Sequence, residues 1–319
     1  MEIKLDKKDS DILKILDSDF RIPISKVAKK VGLSKNSASL RFEKLKEFIS
    51  HTTTGINNKL LGYTLVKVYY SMGSLDEKFE SDLMKEFKKC PSMLYIAKLY
   101  GHYNLEIAFF IQDLDELIFQ LTAFNKKFNK KINEKEIQIL VDQYYFRNNF
   151  LYDTFTTKVS TIFPTTKRVS LTNVEKKILS IIRNDSRMNI LDIAEKTGLN
   201  PKTVTSNMKS LEKRGIITGY YMSLDAAKLG LSSFKVFLQV DNSKDIEEFE
   251  KYITGLKDCK HVAKMLGLWD YEIDLVYPDV LELQMQIESL RQKFPSIIKK
   301  IEIMNFGKRL ITKKEMFLK

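Results

Sequence analysis

The alternation of apolar and polar positions in this chain runs through the same course twice. Residues 171–319 laid over residues 5–153 match apolar on apolar and turn on turn. Val27-Ala28 meets Ile193-Ala194, Gly32-Leu33 meets Gly198-Leu199, Leu45 meets Leu211 and Gly101 meets Gly267. Leu114, Leu117, Leu121, Phe124 and Phe128 meet Val280, Leu283, Ile287, Leu290 and Phe294. The register slips once, where Leu61-Gly62 aligns with Leu229-Gly230, so the second copy carries a short insertion there. A match of this length marks a duplicated unit of about 150 residues rather than a small solenoid repeat.

Within each copy the period changes. Ile12, Leu13 and Leu16 lie on one helical stripe, as do Val174, Ile178, Ile181 and Ile182. A second short helix carries Ile24, Val27, Ala28 and Val31, and a Gly-Leu turn leads to a third helix from Ser34. In the second copy Gly198 ends one helix, Asn200 is the N-cap of the next and Pro201 occupies its first position. Helix, tight turn and capped helix predict a helix-turn-helix. Leu65–Tyr69 and Phe234–Val240 then alternate as strands, and the remaining order reads β-α-β-β-α-β, ending near 132–141 and 298–306. That order predicts an α+β chain with two ferredoxin-like sandwiches, each an antiparallel sheet with two helices on one face. The other sheet face also alternates apolar residues, which calls for a protein partner. Thr- and Ser-rich residues 154–170 break both periods and read as a linker. The expected organisation is therefore a winged helix-turn-helix over 1–58, a sensing domain over 59–153, the linker, a second winged helix-turn-helix over 171–227 and a second sensing domain over 228–319.

Composition narrows the function. The 319 residues are 44% apolar, enough for several packed cores. No apolar run approaches the length of a membrane helix, and Met1-Glu2-Ile3-Lys4 starts a charged helical pattern rather than a signal peptide, so the expectation is a cytoplasmic protein without membrane contact. Cys90 and Cys259 occupy unrelated positions and have no Cys or His at zinc spacing, so neither a metal nor a cofactor is expected. His51, His102 and His261 do not recur between copies and form no nucleophile triad. A net charge of +12 favours a polyanionic partner. Its placement says more: Lys26, Lys29, Lys30, Lys35, Arg41, Lys44 and Lys46 stand against the single acid Glu43.

Leu5-Asp6, Asp9, Ile12-Leu13, Asp19, Arg21, Val27-Ala28, Val31-Gly32-Leu33-Ser34, Arg41 and Leu45 resemble the N-terminal domain of the leucine-responsive/asparagine-synthetase regulator (Lrp/AsnC) family. The second copy resembles it through Asp185, Arg187, Ile193-Ala194, Gly198-Leu199, Leu211-Glu212, Gly215-Ile216-Ile217, Gly219-Tyr220 and Leu224-Asp225. With the sandwich domains, the resemblance spans nearly the whole chain outside the linker. It implies a sequence-specific transcription regulator of double-stranded DNA whose single chain imitates the family's homodimer; further association of fused chains is left open. The third helices are then the readers, with candidate contacts at Arg21, Ser34, Lys35, Asn36, Ser39, Arg41 and Lys46 and, in the second copy, Arg187, Asn200, Lys202, Thr203, Thr205, Ser206 and Lys209. The first copy lacks the wing glycine that Gly215 supplies to the second, and the second has Asn207 where the first has Arg41.

Gly101-His102-Tyr103-Asn104 and Gly267-Leu268-Trp269-Asp270 suit a tight connection between strands, since Gly and Asn or Asp tolerate positive φ. The resemblance implies a second use, a pocket for a small effector, usually an amino acid, formed by Gly101, Tyr103, Asn104, Gly267, Trp269 and Asp270. There Asn104 or Asp270 would hold an ammonium group and Trp269 would form a wall. Two other readings remain. Haem-precursor (sirohaem-type) decarboxylases are built on the same domains, but their histidine- and arginine-rich wing has no counterpart around Gly215–Asp225. The chain is otherwise a ligand-binding module that has lost DNA contact.

Overall fold

The computed structural model describes residues 5–148, 150, 160–162, 167–183, 185–242 and 246–312, with the backbone alone given for 160–162. The first three helices are α1 (Lys7–Ser18), α2 (Ile24–Val31) and α3 (Lys35–Leu45). Asp6 and Asp9 close a reciprocal capping box on α1, Gly32 ends α2 at φ 66°, and the Ser34 hydroxyl caps α3. In the second copy α6 (Asn173–Ile182), α7 (Ile190–Thr197) and α8 (Pro201–Lys213) follow the same plan. A Thr172–Glu175 box opens α6, Asn189 caps α7, Gly198 ends it at φ 70°, and Asn200 caps α8 with Pro201 behind it.

The wings depart from expectation, because neither copy closes one on its own. Strand β1 (Ile49–Ile56) pairs antiparallel with β7 (Ile217–Leu224) of the other copy. Met222 and Leu224 of β7 enter the first copy's core with Ile12, Leu16 and Phe42, while Ile56 of β1 enters the second copy's core with Ile178 and Leu211. Each helix-turn-helix core is completed by the other copy's strand. This ribbon supplies the backbone partners that the missing wing glycine of the first copy would have provided in a hairpin.

The sensing regions hold β2 (Thr64–Met72), α4 (Glu77–Lys89), β3 (Met93–Tyr100), β4 (Leu105–Ile111), α5 (Leu114–Phe128) and β5 (Ile132–Tyr145), then, in the second copy, β8 (Ser232–Val240), α9 (Glu247–Thr254), β9 (Cys259–Leu266), β10 (Tyr271–Tyr277), α10 (Val280–Lys293) and β11 (Ile298–Thr312). The predicted β-α-β-β-α-β order is present in both. Strand orders are β5-β2-β4-β3 and β11-β8-β10-β9. Strand β5 lies along β2 with its first half and along β9 with its second, and β11 likewise joins β8 to β3. The two sheets therefore close on each other at both edges, leaving no free edge among the eight strands. A ninth strand, β6 (Ser160–Ile162), lies along the end of β5 in what the sequence suggests is plain linker. The rest of 154–170 falls outside the described residues except 167–170, where the Val169 N–H donates to the Leu60 carbonyl.

Val66, Val68 and Tyr70 of β2 pack under α4 and α5, while Leu65, Lys67 and Tyr69 point to the opposite sheet. Both faces of the strand are buried, which is the coverage that its two-sided pattern required. No helix among the described residues is long and apolar enough to cross a membrane.

Candidate nucleic-acid interface and the joint between the sensing sheets

The third helices turn Ala38, Phe42 and Leu45, and Val204, Met208 and Leu211, into their cores. This leaves Lys35, Asn36 and Lys46 exposed on α3 and Lys202, Ser206 and Lys209 exposed on α8, with Ser39, Thr203 and Thr205 half-buried. Lys46 is held by Glu43 at 2.7 Å. The Ser34 hydroxyl oxygen and the Asn200 Oδ1 accept the helix-start N–H groups of Ser37 and Lys202, so these two side chains cap their helices. Thr205 and Ser206 bond back to the Pro201 and Thr203 carbonyls of their own helix.

Three arginines do not take the places expected of phosphate ligands. Arg41 spans Asp6 and Asp9 at 2.6 and 2.7 Å, tying α3 to the start of α1. Arg21 donates to the Ser186 carbonyl at 2.7 Å and lies 5.0 Å from the Tyr220 ring centroid. Arg187 donates to the Phe20 carbonyl and, at 2.9 Å, to the Ile22 carbonyl, and it covers the Phe20 and Phe42 rings. Burial lowers its pKa. Arg21 and Arg187 occupy equivalent positions in the two copies and reach across reciprocally, so each helix-turn-helix clamps a loop of the other. The guanidinium fork that suits phosphate also suits a pair of carbonyls, and sequence spacing does not distinguish the two.

The effector-turn residues also resolve into structure. Gly101 (φ 148°) and Gly267 (φ 158°) sit where a Cβ would strike the opposite copy, at 2.8 Å from Met304 Cγ and 2.7 Å from the Ile137 carbonyl respectively. Tyr103 and Trp269 are buried together with Tyr69, Phe237 and Met304, with Trp269 only 2% exposed. Asn104 exchanges bonds with both backbone groups of Met72 at 2.8 Å, and the Asp270 carboxylate accepts from the Val240 N–H and the Asn242 amide. Gly101, Gly267, Tyr103 and Trp269 therefore lie in the joint between the copies, while Asn104 and Asp270 hold the backbone of their own copies.

At the centre of the two facing sheets is a group of charges that sequence reading missed. Lys67 and Glu272 meet at 2.6 Å; Lys235 contacts Glu272 and, at 3.1 Å, Asp274; both lysines lie 3.6 Å from Glu106. Tyr69 donates to Glu272 at 2.5 Å and Tyr95 donates to Glu106. Lys67 and Glu106 are fully buried partners of the aligned Lys235 and Glu272, so the repeated Lys and Glu on inward strand positions was the available signal. Burial alone would raise the Glu272 carboxyl, but Lys235 and Lys67 outweigh it and hold the pKa down to about 2. Burial likewise opposes the charge on Lys235, but Asp274, Glu106 and Glu272 prevail and raise its pKa well above the usual value. His261, Glu272 and Asp274 have donor atoms within 4.8 Å of one another, a spacing suited to a metal ion, yet the Lys235 ammonium already contacts two of them. His261 Nε2 lies 3.2 Å from Gln143 Oε1.

Comparison with known proteins assigns this architecture. An AsnC-type helix-turn-helix domain matches residues 5–46 and a winged helix-turn-helix DNA-binding domain matches residues 171–218. The chain resembles the Lrp/AsnC family of transcription regulators, as a tandem fusion of two copies. It is 27% identical over 107 residues to the HTH-type transcriptional regulator LrpC of Bacillus subtilis, covering 34% of this chain and 74% of LrpC. It is 25% identical over 134 residues to the proline dehydrogenase transcriptional activator of Rhizobium radiobacter, covering 41% of this chain and 86% of that protein. The solved siroheme decarboxylase NirDL shares the fold across 98% of this chain and 95% of its own, with a TM-score of 0.63 and 16% identity. That likeness shows the fold and says nothing of chemistry.

Proposed function

We propose that this Lrp/AsnC-type chain is a cytoplasmic, sequence-specific DNA-binding regulator in which the two halves act as the two subunits of a dimer. The observation that carries the reading is the pair of capped third helices with exposed Lys35, Asn36, Lys202, Ser206 and Lys209, held in one body by the β1–β7 ribbon and the reciprocal arginines. The N-terminal residues of such helices read base edges in the major groove while lysines neutralise phosphate. Half-sites are then read about 10 to 10.5 base pairs apart, or a multiple of that spacing. Because the copies differ at every aligned reading position, with Lys35 falling on Pro201 and Asn36 on Lys202, the preferred site is not a palindrome. An effector acts by favouring one arrangement of sensing sheets and reading helices over another.

Selection of genomic fragments by the purified chain, followed by footprinting of the recovered fragments, tests the reading. A shared motif protected over two half-sites is expected; recovery of random sequence sinks it. The reading assigns no catalytic role. The decarboxylase alternative predicts a tetrapyrrole complex visible in the absorption spectrum, and a silent titration removes it.

A further inference from the structure

The outward faces of the two reading helices carry different chemistry at matched positions. On α3, Asn36, Leu40 and Glu43 are exposed at i, i+4 and i+7, so they follow one another along one face. Their aligned partners on α8 are Lys202, Ser206 and Lys209, exposed as well. Leu40 is 68% exposed, and among the described residues of 5–56 it is the only large apolar side chain left open. Ala38, Phe42 and Leu45 of the same helix are all buried. The core of the unit therefore makes no use of a leucine at position 40, and the second copy places a serine there.

The hydrogen-bonding capacities of the two faces differ as well. The Asn36 amide, a donor beside an acceptor, has no partner among the described residues. Glu43 is neutralised by Lys46 at 2.7 Å, so that end of the α3 face adds no free charge. Lys202 and Lys209 have no ion pair among the described residues and can only donate. Ser206 gives its proton to the Thr203 carbonyl at 3.0 Å, which leaves the two ammonium groups as the strong donors of the α8 face.

These groups select between base edges. In the major groove adenine shows an acceptor, N7, next to a donor, the N6 amino group, and a side-chain amide matches both. Thymine shows a C5-methyl group, whose complement is an apolar side chain. Guanine shows two acceptors, O6 and N7, which suit a group that only donates, whereas an ammonium facing adenine or cytosine meets an amino group.

We propose that the two halves of this chain read half-sites of different base composition: α3 reads an A·T-rich half-site, with Asn36 on an adenine edge and Leu40 on a thymine methyl, and α8 reads a guanine-containing half-site through Lys202 and Lys209. The proposal deepens the DNA-binding reading above and rests on it. Leu40 becomes the specificity-determining residue of the first half. Lys35 and Lys44, exposed on α3 without ion pairs among the described residues, supply phosphate contacts that any sequence offers. Lys202 and Lys209 add to the salt dependence too, since a cation in the groove displaces counterions wherever it bonds.

The test is selection of random duplexes by the full chain, followed by affinity measurements on the selected duplex with altered bases. The expected motif joins one A·T-rich and one guanine-containing half-site, about 10 to 10.5 base pairs apart or a multiple of that spacing. Uracil in place of thymine in the first half-site removes only the methyl group. It should weaken wild-type binding by about fourfold per contacted methyl and leave Leu40→Ser unaffected. An unchanged Tm for Leu40→Ser, expected of an exposed position, shows that the variant is folded. 7-Deazaguanine in the second half-site should weaken wild-type binding by about tenfold, and the penalty should vanish in the double variant Lys202→Gln, Lys209→Gln. Uracil that is neutral in wild type, a uracil penalty that persists in Leu40→Ser, or two half-sites of like composition overturns the proposal while the DNA-binding reading stands. Recovery of random duplexes is a different failure, because it removes the DNA-binding reading itself.

Discussion

The helix-turn-helix pair and the sheet pair come from the same duplication, yet they have diverged in opposite places. The reading units differ where they face outward: Asn36 against Lys202, Glu43 against Lys209. The sheets differ where they face each other, since the aligned partners of Tyr95 and Ala108 are His261 and Asp274, the acid in contact with the buried Lys235 and the histidine beside that acid. A twofold homodimer must present every residue of its interface twice. A fused pair is released from that constraint, and this chain has used the release to place an extra acid and a histidine on one side of its centre. Three carboxylates, Glu106, Glu272 and Asp274, consequently share two lysines, and the load is uneven: Glu272 touches both ammonium groups while Glu106 stands 3.6 Å from each.

The sharpest way to break this comparison is to remove Glu272. Glu272→Ala leaves Lys67 and Lys235 buried with their main counter-charge gone and should cost about 3–5 kcal/mol in urea unfolding. Glu106→Ala should cost clearly less; equal losses would mean that the centre is functionally symmetric after all. The acid limb of stability reports the same site. Glu272 has a folded pKa of about 2 against 4.5 ordinarily, so its contribution is complete above about 4.5 and is lost as pH falls through about 2. In Glu272→Gln the stability curve should flatten across that window while the neutral-pH value drops.

The joint between copies is the next largest effect. Gly267→Ala places a Cβ 2.6 Å from Gln138 Oε1 at a φ that side chains rarely adopt, and we expect a loss of about 1–3 kcal/mol. Gly198→Ala, at positive φ but with open space around it, should cost about 1 kcal/mol, and a reversal of that order would show that the turn does not bear on the other copy. Asn200→Ala removes the cap of α8 for about 1 kcal/mol, measurable as a lowered Tm. The smallest change is in DNA affinity. Lys202→Ala and Lys35→Ala should each reduce the slope of log affinity against log salt by about one, and the larger loss of affinity identifies the dominant reader.

Much of this was legible in the chain. The helix-turn-helix units follow from stripes of apolar residues three and four apart bounded by Asp6, Ser34, Thr172 and Asn200, all of them local signals that act over a few residues. The sandwich order follows from the switch to alternating strands, and the two-sided pattern of β2 and β8 announced that each sheet needed a cover. The positions facing inward on the third helices were set by the same periodicity.

What waited for the tertiary structure is everything that depends on which surface meets which. An arginine at position 21 or 187 has the same chemistry whether it meets phosphate or the carbonyls of a neighbouring loop, and only the exchange of β1 and β7 between cores brings those carbonyls within reach. Lys67 and Glu272 stand far apart in sequence, so no local rule pairs them; the closure of two sheets at both edges does. The sequence by itself determined the elements and their duplication, because those are decided by neighbours a few residues away. Pairing and burial of charge were decided by contacts between copies, whose geometry exists only once the whole chain has closed on itself.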